Sequence, residues 1–196
     1  MLRLIGETRS GLTGVAKLIA FRPDWKTHFD ISGTGVARSF LAALVGLPAF
    51  VLIVAGANYF VAANPQLSAQ DPDAGFTLVE AGVHYLRLWL VFPLAAALTV
   101  RLLGLQAAFG PWLVVHNWTV CMLLMLQGFF WALYAAGIAD AGSLGAVLSF
   151  YTMARLLAHW RVAAGALDLG WGPAAAAAGI PVVLDYLTLL ALEQVI

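Results

Sequence analysis

Charge is scarce in this chain. Only 10% of its residues are charged, and ten Lys and Arg balance ten Asp and Glu to a formal net charge of zero. A soluble domain carries about 25% charged residues. A chain that is 62% hydrophobic has too little polar surface to face water. The neutral balance also removes the basic patch that a nucleic-acid partner needs. Cysteine is nearly missing. Cys121 stands alone in an apolar run, which excludes a disulfide framework and a cysteine-built metal site. The chain has no Gly-rich phosphate loop, no Gly-x-Ser-x-Gly elbow and no His-Glu-x-x-His pair, so no cofactor and no familiar enzyme chemistry are expected. Nor does any helical stretch carry the His/Glu spacing of a zinc or di-iron site. The polar stretches are too short to build a soluble catalytic domain.

What is present is long and apolar. Continuous apolar runs, rather than short alternating ones, predict transmembrane helices and not a barrel. Inside a bilayer the helix satisfies its own backbone groups. The expected fold is an all-α, polytopic helical bundle with five transmembrane helices, over about 36–62, 78–103, 111–136, 143–165 and 173–192. These form one domain over 35–196, preceded by a basic and aromatic segment over 1–34. In that segment Leu12, Val15, Leu18 and Ile19 recur at helical spacing, which predicts an amphipathic helix lying on the membrane surface. Phe21-Arg22-Pro23 should end it, because the residue before a proline avoids helical geometry. Trp25 and Phe29 then have room to dip into the headgroups. Gly6, Glu7, Arg9, Ser10 and Lys17 interrupt the first 21 residues, so they do not read as a cleavable signal peptide and the first span is expected to direct insertion.

Local signals mark several boundaries. Residues 63–77 form a polar loop without Lys or Arg, and Thr77-Leu78-Val79-Glu80 has capping-box spacing. Pro111 suits the first turn of the third span, and Ser143 is the expected cap of the fourth. Pro48, Pro93 and Pro181 fall inside spans and should bend them. Ala175 and Gly179 offer small residues one turn apart for close helix approach. Lys and Arg gather before the first span and at Arg101 and Arg161, and are missing from the other two loops. That asymmetry predicts a cytoplasmic N-terminus and an external C-terminus. Trp112, Trp160 and Trp171 then fall at the cytoplasmic interface, and Tyr59 and Trp131 near the other.

The residues of greatest interest are the polar ones inside the spans. A charge near the bilayer centre costs about 2.5–3.5 kcal/mol on insertion scales, so each needs a partner or water. Asp185 lies about two turns, and Arg87 two to three turns, from the outer ends of their spans at about 1.5 Å rise per residue. They are expected to pair, and a swap of the two charges should rescue either single change. The bland role for such a pair is to dock two helices. Tyr151, Arg155 and His159 are spaced i, i+4 and i+8, one polar stripe on span four. His116 lies at a depth near that of His159. Two histidines beside an arginine suit a proton relay, or packing with Arg155 snorkelling to the headgroups.

Two blocks carry a resemblance. Phe21-Arg22-Pro23-Asp24-Trp25, Phe29-Asp30, Arg38-Ser39-Phe40 and Pro48 make the first. Trp160-Arg161-Val162-Ala163, Ala166-Leu167 and Ala176 through Asp185-Tyr186 make the second. Together they resemble a bacterial family of small, uncharacterised polytopic membrane proteins, similar in span number and size to the Yip-type (Ypt-interacting protein) membrane domains. The resemblance implies five spans in a bacterial inner membrane and no active residue. Eukaryotic Yip-type members bind small GTPases. Their Asp-Leu-x-Gly-Pro pattern is absent here, and Asp168-Leu169-Gly170-Trp171-Gly172-Pro173 echoes it at the other end of the chain. The reading favoured by sequence is a non-enzymatic scaffold or accessory subunit of a membrane complex, partnered by lipid and by another membrane protein or copies of itself. The alternative is a small proton-coupled permease acting as an oligomer, which requires a watery cavity reaching Asp185 or His159. An intramembrane enzyme ranks third.

Overall fold

A computed structural model describes residues 2–70, 74–192 and 194. Its elements, in order, are α1 (Leu2–Ile19), a 3-10 turn (Pro23–His28), α2 (Gly33–Ser39), α3 (Leu41–Ala63), α4 (Pro65–Gln70), α5 (Leu78–Leu102), a second 3-10 turn (Gln106–Ala108), α6 (Phe109–Ala135), α7 (Ala141–Ala166) and α8 (Trp171–Leu192). The described residues contain no strand. Five helical stretches, α2 with α3, then α5, α6, α7 and α8, are long and apolar enough to cross a membrane. Their outward surface carries exposed Leu44, Val51, Leu94, Phe150, Leu157 and Val183, side chains suited to acyl chains rather than water.

α6 is the centre. Trp112 through Cys121 are all buried, which is why this helix is apolar all round instead of amphipathic. α3 lies along it at close range. A Cβ on Gly128 would stand 2.7 Å from the Ala49 carbonyl oxygen, and one on Gly56 would stand 2.9 Å from Trp131 Cβ. Small residues thus let two backbones approach, and dispersion holds them where lipid supplies no hydrophobic drive. α7 packs on the other side of α6, and α8 bridges α7 and α5.

The first span differs from its expectation. It is two helices broken at Phe40, not one. Ser39 donates to the Val36 carbonyl at 2.7 Å and accepts from Asn117 Nδ2 at 2.8 Å, buried against α6. That side-chain bonding competes with the helical ladder. α2 also starts earlier, at Gly33, capped by Ser32, whose hydroxyl accepts from Gly35 N.

The N-terminal segment differs more. The helix forms, and it ends near Phe21, which has a left-handed φ of 57° while Arg22 N donates back to the Lys17 carbonyl. But Val15 and Leu18 are fully buried, packed on protein instead of turned to lipid. Trp25, expected among the headgroups, sits in the core with Leu18, Ala163 and Val162. Gly165 leaves the space that Leu18 and Trp25 occupy. Arg161 of α7 donates to the Leu18 carbonyl at 3.1 Å, which also accepts from Phe21 N at 3.2 Å, and so ties the α1 C-terminus to α7. Arg38 pairs with Glu7 and Asp30. Residues 2–34 are therefore knitted into the bundle.

Smaller corrections follow. The polar loop over 63–77 contains α4; its residues 71–73 lie outside the described ones. The cap of α7 is Asp140, in a reciprocal capping box with Ser143, rather than Ser143 itself. The Thr77–Glu80 box is present as expected. Trp112 is buried and not part of an interfacial belt, whereas Trp160 Nε1 donates to the exposed Trp171 carbonyl at 2.9 Å. On α8 the buried small residues are Ala174, Ala177 and Ala178. Ala175 is exposed, and a Cβ at Gly179 would meet no neighbour.

Candidate functional site

The intramembrane polar residues converge on one cavity of about 620 Å³. Each long helix contributes one face. α8 supplies Ala178, Pro181, Val182, Asp185, Tyr186 and Leu189, and α6 supplies Trp112, His116, Val120, Leu123, Leu124 and Gln127. Both sets follow the helical repeat. α5 adds His84, Arg87, Leu88 and Phe92; α7 adds Tyr151, Thr152, Arg155, Leu156 and His159; α3 closes one wall with Phe50, Ile53 and Val54.

The charge centre of this cavity is Asp185. Arg87 Nη1 donates to its Oδ1 and, at 3.3 Å, to its backbone carbonyl. Arg155 Nη2 stands 3.6 Å from its Oδ2. The expected Arg87–Asp185 contact is thus in place, and Arg155, read from sequence with the histidines, belongs to it as well. One carboxylate serves two guanidiniums, so this trio carries one surplus positive charge. Arg87 is the more deeply held, with its side chain 11% exposed against 41% for Arg155.

One to two turns away, the histidines meet. The His116 ring lies parallel to Phe92 on one side and 5.1 Å from the His159 ring on the other. His116 is buried, and its Nδ1 has no hydrogen-bond partner among the described residues. At the far mouth, Asn58 of α3 holds the segment before α5. Its amide donates to the Phe76 carbonyl at 3.0 Å and its Oδ1 accepts from Phe76 N at 2.7 Å. That contact sets the Phe76 ring edge-on to His84 over the cavity. α3 also meets α5 through Tyr85, which donates to the Ala43 carbonyl and lies against Phe50.

The structure therefore brings together all six intramembrane residues picked out from sequence: Arg87, Asp185, Arg155, His159, His116 and Tyr151 all line the same space. Sequence reasoning missed that Phe76, His84, Gln127 and Thr152 share it. His84 and Gln127 were visible as polar residues in apolar spans, but nothing told which way they pointed. Among the described residues, no three His, Cys, Asp or Glu side chains gather as a metal site would require.

Against this geometry, the comparisons with known proteins add no relative: no family model, no curated protein and no solved structure matches the chain.

Proposed function

We propose that this protein is a small permease of a bacterial cytoplasmic membrane, holding its ligand in the cavity between α3, α5, α6, α7 and α8. The observation that carries the reading is the continuity of that cavity. It runs from Phe76 and His84 at one end to Trp112 and His116 at the other, past Asp185 and His159. A packed scaffold has no need of such a space, because cavities forfeit dispersion contacts. Ionisable groups facing an intramembrane cavity mark ion and substrate paths by default. Asp185, His116 and His159 are the groups to carry a coupled proton. No catalytic role is assigned to any residue. The bundle is small, so the working unit is an oligomer.

Orientation supports the same placement. Arg3, Arg9, Arg22 and Lys26 are all exposed around α1 and the turn after it, at the end of the bundle shared with Arg101 and Arg161. The positive-inside rule puts that end in the cytoplasm. The outer side of α1 then lies among the headgroups, as an interfacial helix does. The Yip-type resemblance is compatible with this placement and contributes the span number.

A second reading, an accessory subunit, draws on the internal pairing of Arg87, Asp185 and Arg155, which suffices to dock α5, α7 and α8. Affinity purification of the tagged protein from native membranes in mild detergent, with mass spectrometry, separates the two. The permease reading expects the chain alone or with copies of itself. A stoichiometric unrelated partner would replace it with the subunit reading.

A further inference from the structure

We infer that the ligand of this cavity is an amphipathic monoanion: one oxyanion head, carboxylate or phosphate diester, on an apolar body. The inference rests on the permease reading and names its substrate class. Three observations lead to it.

The first is charge. Asp185 cannot neutralise both guanidiniums, and the surplus falls on Arg155. Arg87 takes Asp185 twice, through side chain and backbone, while Arg155 keeps a single contact at 3.6 Å, too long for a hydrogen bond. Most of the Arg155 donors are left for a ligand. A guanidinium offers its N–H groups as a planar fork that matches a carboxylate or phosphate. A cationic ligand would meet the wrong sign of field.

The second is the wall. The α3 side is Phe50, Ile53 and Val54, continued by Leu123 and Leu124 of α6. These side chains offer no hydrogen bond, so they suit a hydrocarbon body and exclude a small hydrated anion as the preferred guest. Cavities of about 300–1,000 Å³ hold drug-sized ligands, and this one falls in that range.

The third is access. Leu156 and Tyr186 line the cavity and are exposed, and their neighbours Leu157 and Leu187, which do not line it, are exposed as well. The space therefore has an edge between α7 and α8 that faces the acyl chains. An amphiphile can enter through it with its tail still in lipid and its head at the depth of Arg155. Two sources supply such a molecule, a monoanionic phospholipid of the bilayer or a water-borne fatty acid.

Native mass spectrometry of the full-length protein, released from a neutral detergent, tests the inference. The probes are laurate, phosphatidylglycerol, zwitterionic phosphatidylcholine and cationic dodecyltrimethylammonium. Laurate or phosphatidylglycerol, or both, should bind about tenfold better than the other two, and Arg155→Gln should remove that preference, since one charge-assisted hydrogen bond is worth about this factor. Arg155→Lys should retain part of it. Preference for phosphatidylglycerol alone identifies a lipid source, and preference for laurate alone a soluble one. Arg155→Gln leaves the Arg87–Asp185 pair intact, so it should fold. Should it not, Val182→Trp, which narrows the cavity without touching charge, must abolish anion binding while the protein stays folded. Anion binding unchanged in Arg155→Gln, or in a folded Val182→Trp, overturns the inference. So does equal or better binding of the cation, which leaves the permease reading standing. Failure of every probe to bind overturns the inference, while the permease reading stands or falls separately, on whether the cavity admits water-borne reagents.

Discussion

Arg87 grips Asp185 at two points, its carboxylate and its own backbone carbonyl, and so ties α5 to α8 across 98 positions of sequence. Arg155 adds α7 to the same carboxylate. The three changes at this node should therefore differ in cost. Asp185→Asn strands two guanidiniums at membrane depth, and should destabilise by about 3–5 kcal/mol, the range for a broken buried pair. Arg87→Gln leaves Asp185 with Arg155 and should cost less. Arg155→Gln should cost least. Melting temperatures of the three purified variants in one detergent check the order. Equal losses for Asp185→Asn and Arg87→Gln, with none for Arg155→Gln, would mean that Arg155 does not share the carboxylate.

The charge swap is modified by the same geometry. Arg87→Asp with Asp185→Arg rebuilds the α5–α8 pair but brings a new arginine against Arg155. Expression should recover only in part. Adding Arg155→Gln to the swap should raise it further. A swap that recovers fully without the third change contradicts the trio.

Close helix approach gives a test away from charge. Gly128→Ala puts a methyl 2.7 Å from the Ala49 backbone, which cannot rotate away, so α3 must move off α6. The expected loss is about 1–3 kcal/mol, the usual cost of overpacking. Gly145→Ala on α7 meets no neighbour and should be neutral or stabilising by up to about 1 kcal/mol from helix propensity. The Gly128→Ala protein should melt below the parent and the Gly145→Ala protein at or above it. Indifference at Gly128 would contradict the α3–α6 packing.

The N-terminal segment should loosen in acid. Hydrogen bonding from Lys17 holds the Asp24 carboxyl below its ordinary range, and hydrogen bonds from Ser32, with Arg38 nearby, do the same for Asp30. A carboxyl depressed in the folded state stabilises fully above its unfolded pKa, about 3.9. That contribution is lost as the pH falls through the folded value. Melts taken from pH 6 down to 3 should show a falling Tm, with a shallower slope in the Asp24→Asn, Asp30→Asn double variant. Parallel slopes would refute the contribution.

Much of this architecture was legible because bilayer thickness fixes span length and because turn-counting fixes depth. Depth alone paired Arg87 with Asp185. It could not reveal Arg155 at the same carboxylate, because depth says nothing about which way a helix is rotated in the bundle. The cavity was hidden for the same reason. Its lining stripes, such as Tyr151, Arg155 and His159, each follow helical spacing, but only packing decides that five stripes face one another. Helix ends were readable where glycine supplied the left-handed residue, at Gly104 and Gly137 (φ 70° at each). They were less so at Asp168, where a non-glycine residue takes that conformation (φ 52°). The break at Phe40 has no glycine or proline to announce it, and depends on Asn117 reaching Ser39 across 78 positions. The packing of Val15 and Leu18 against the bundle was not legible, because the same periodicity serves a lipid-facing and a protein-facing stripe.

The most direct measurement compares two neighbours on α8. Val182 lines the cavity, while Val183 faces outward and is 56% exposed. Each is replaced by cysteine in a Cys121→Ser background and treated in native membranes with a charged, water-borne maleimide. A water-filled intramembrane cavity predicts that Val182→Cys reacts and Val183→Cys, surrounded by lipid, does not. Protection of both, or reaction at Val183→Cys alone, would contradict the cavity and the function built on it.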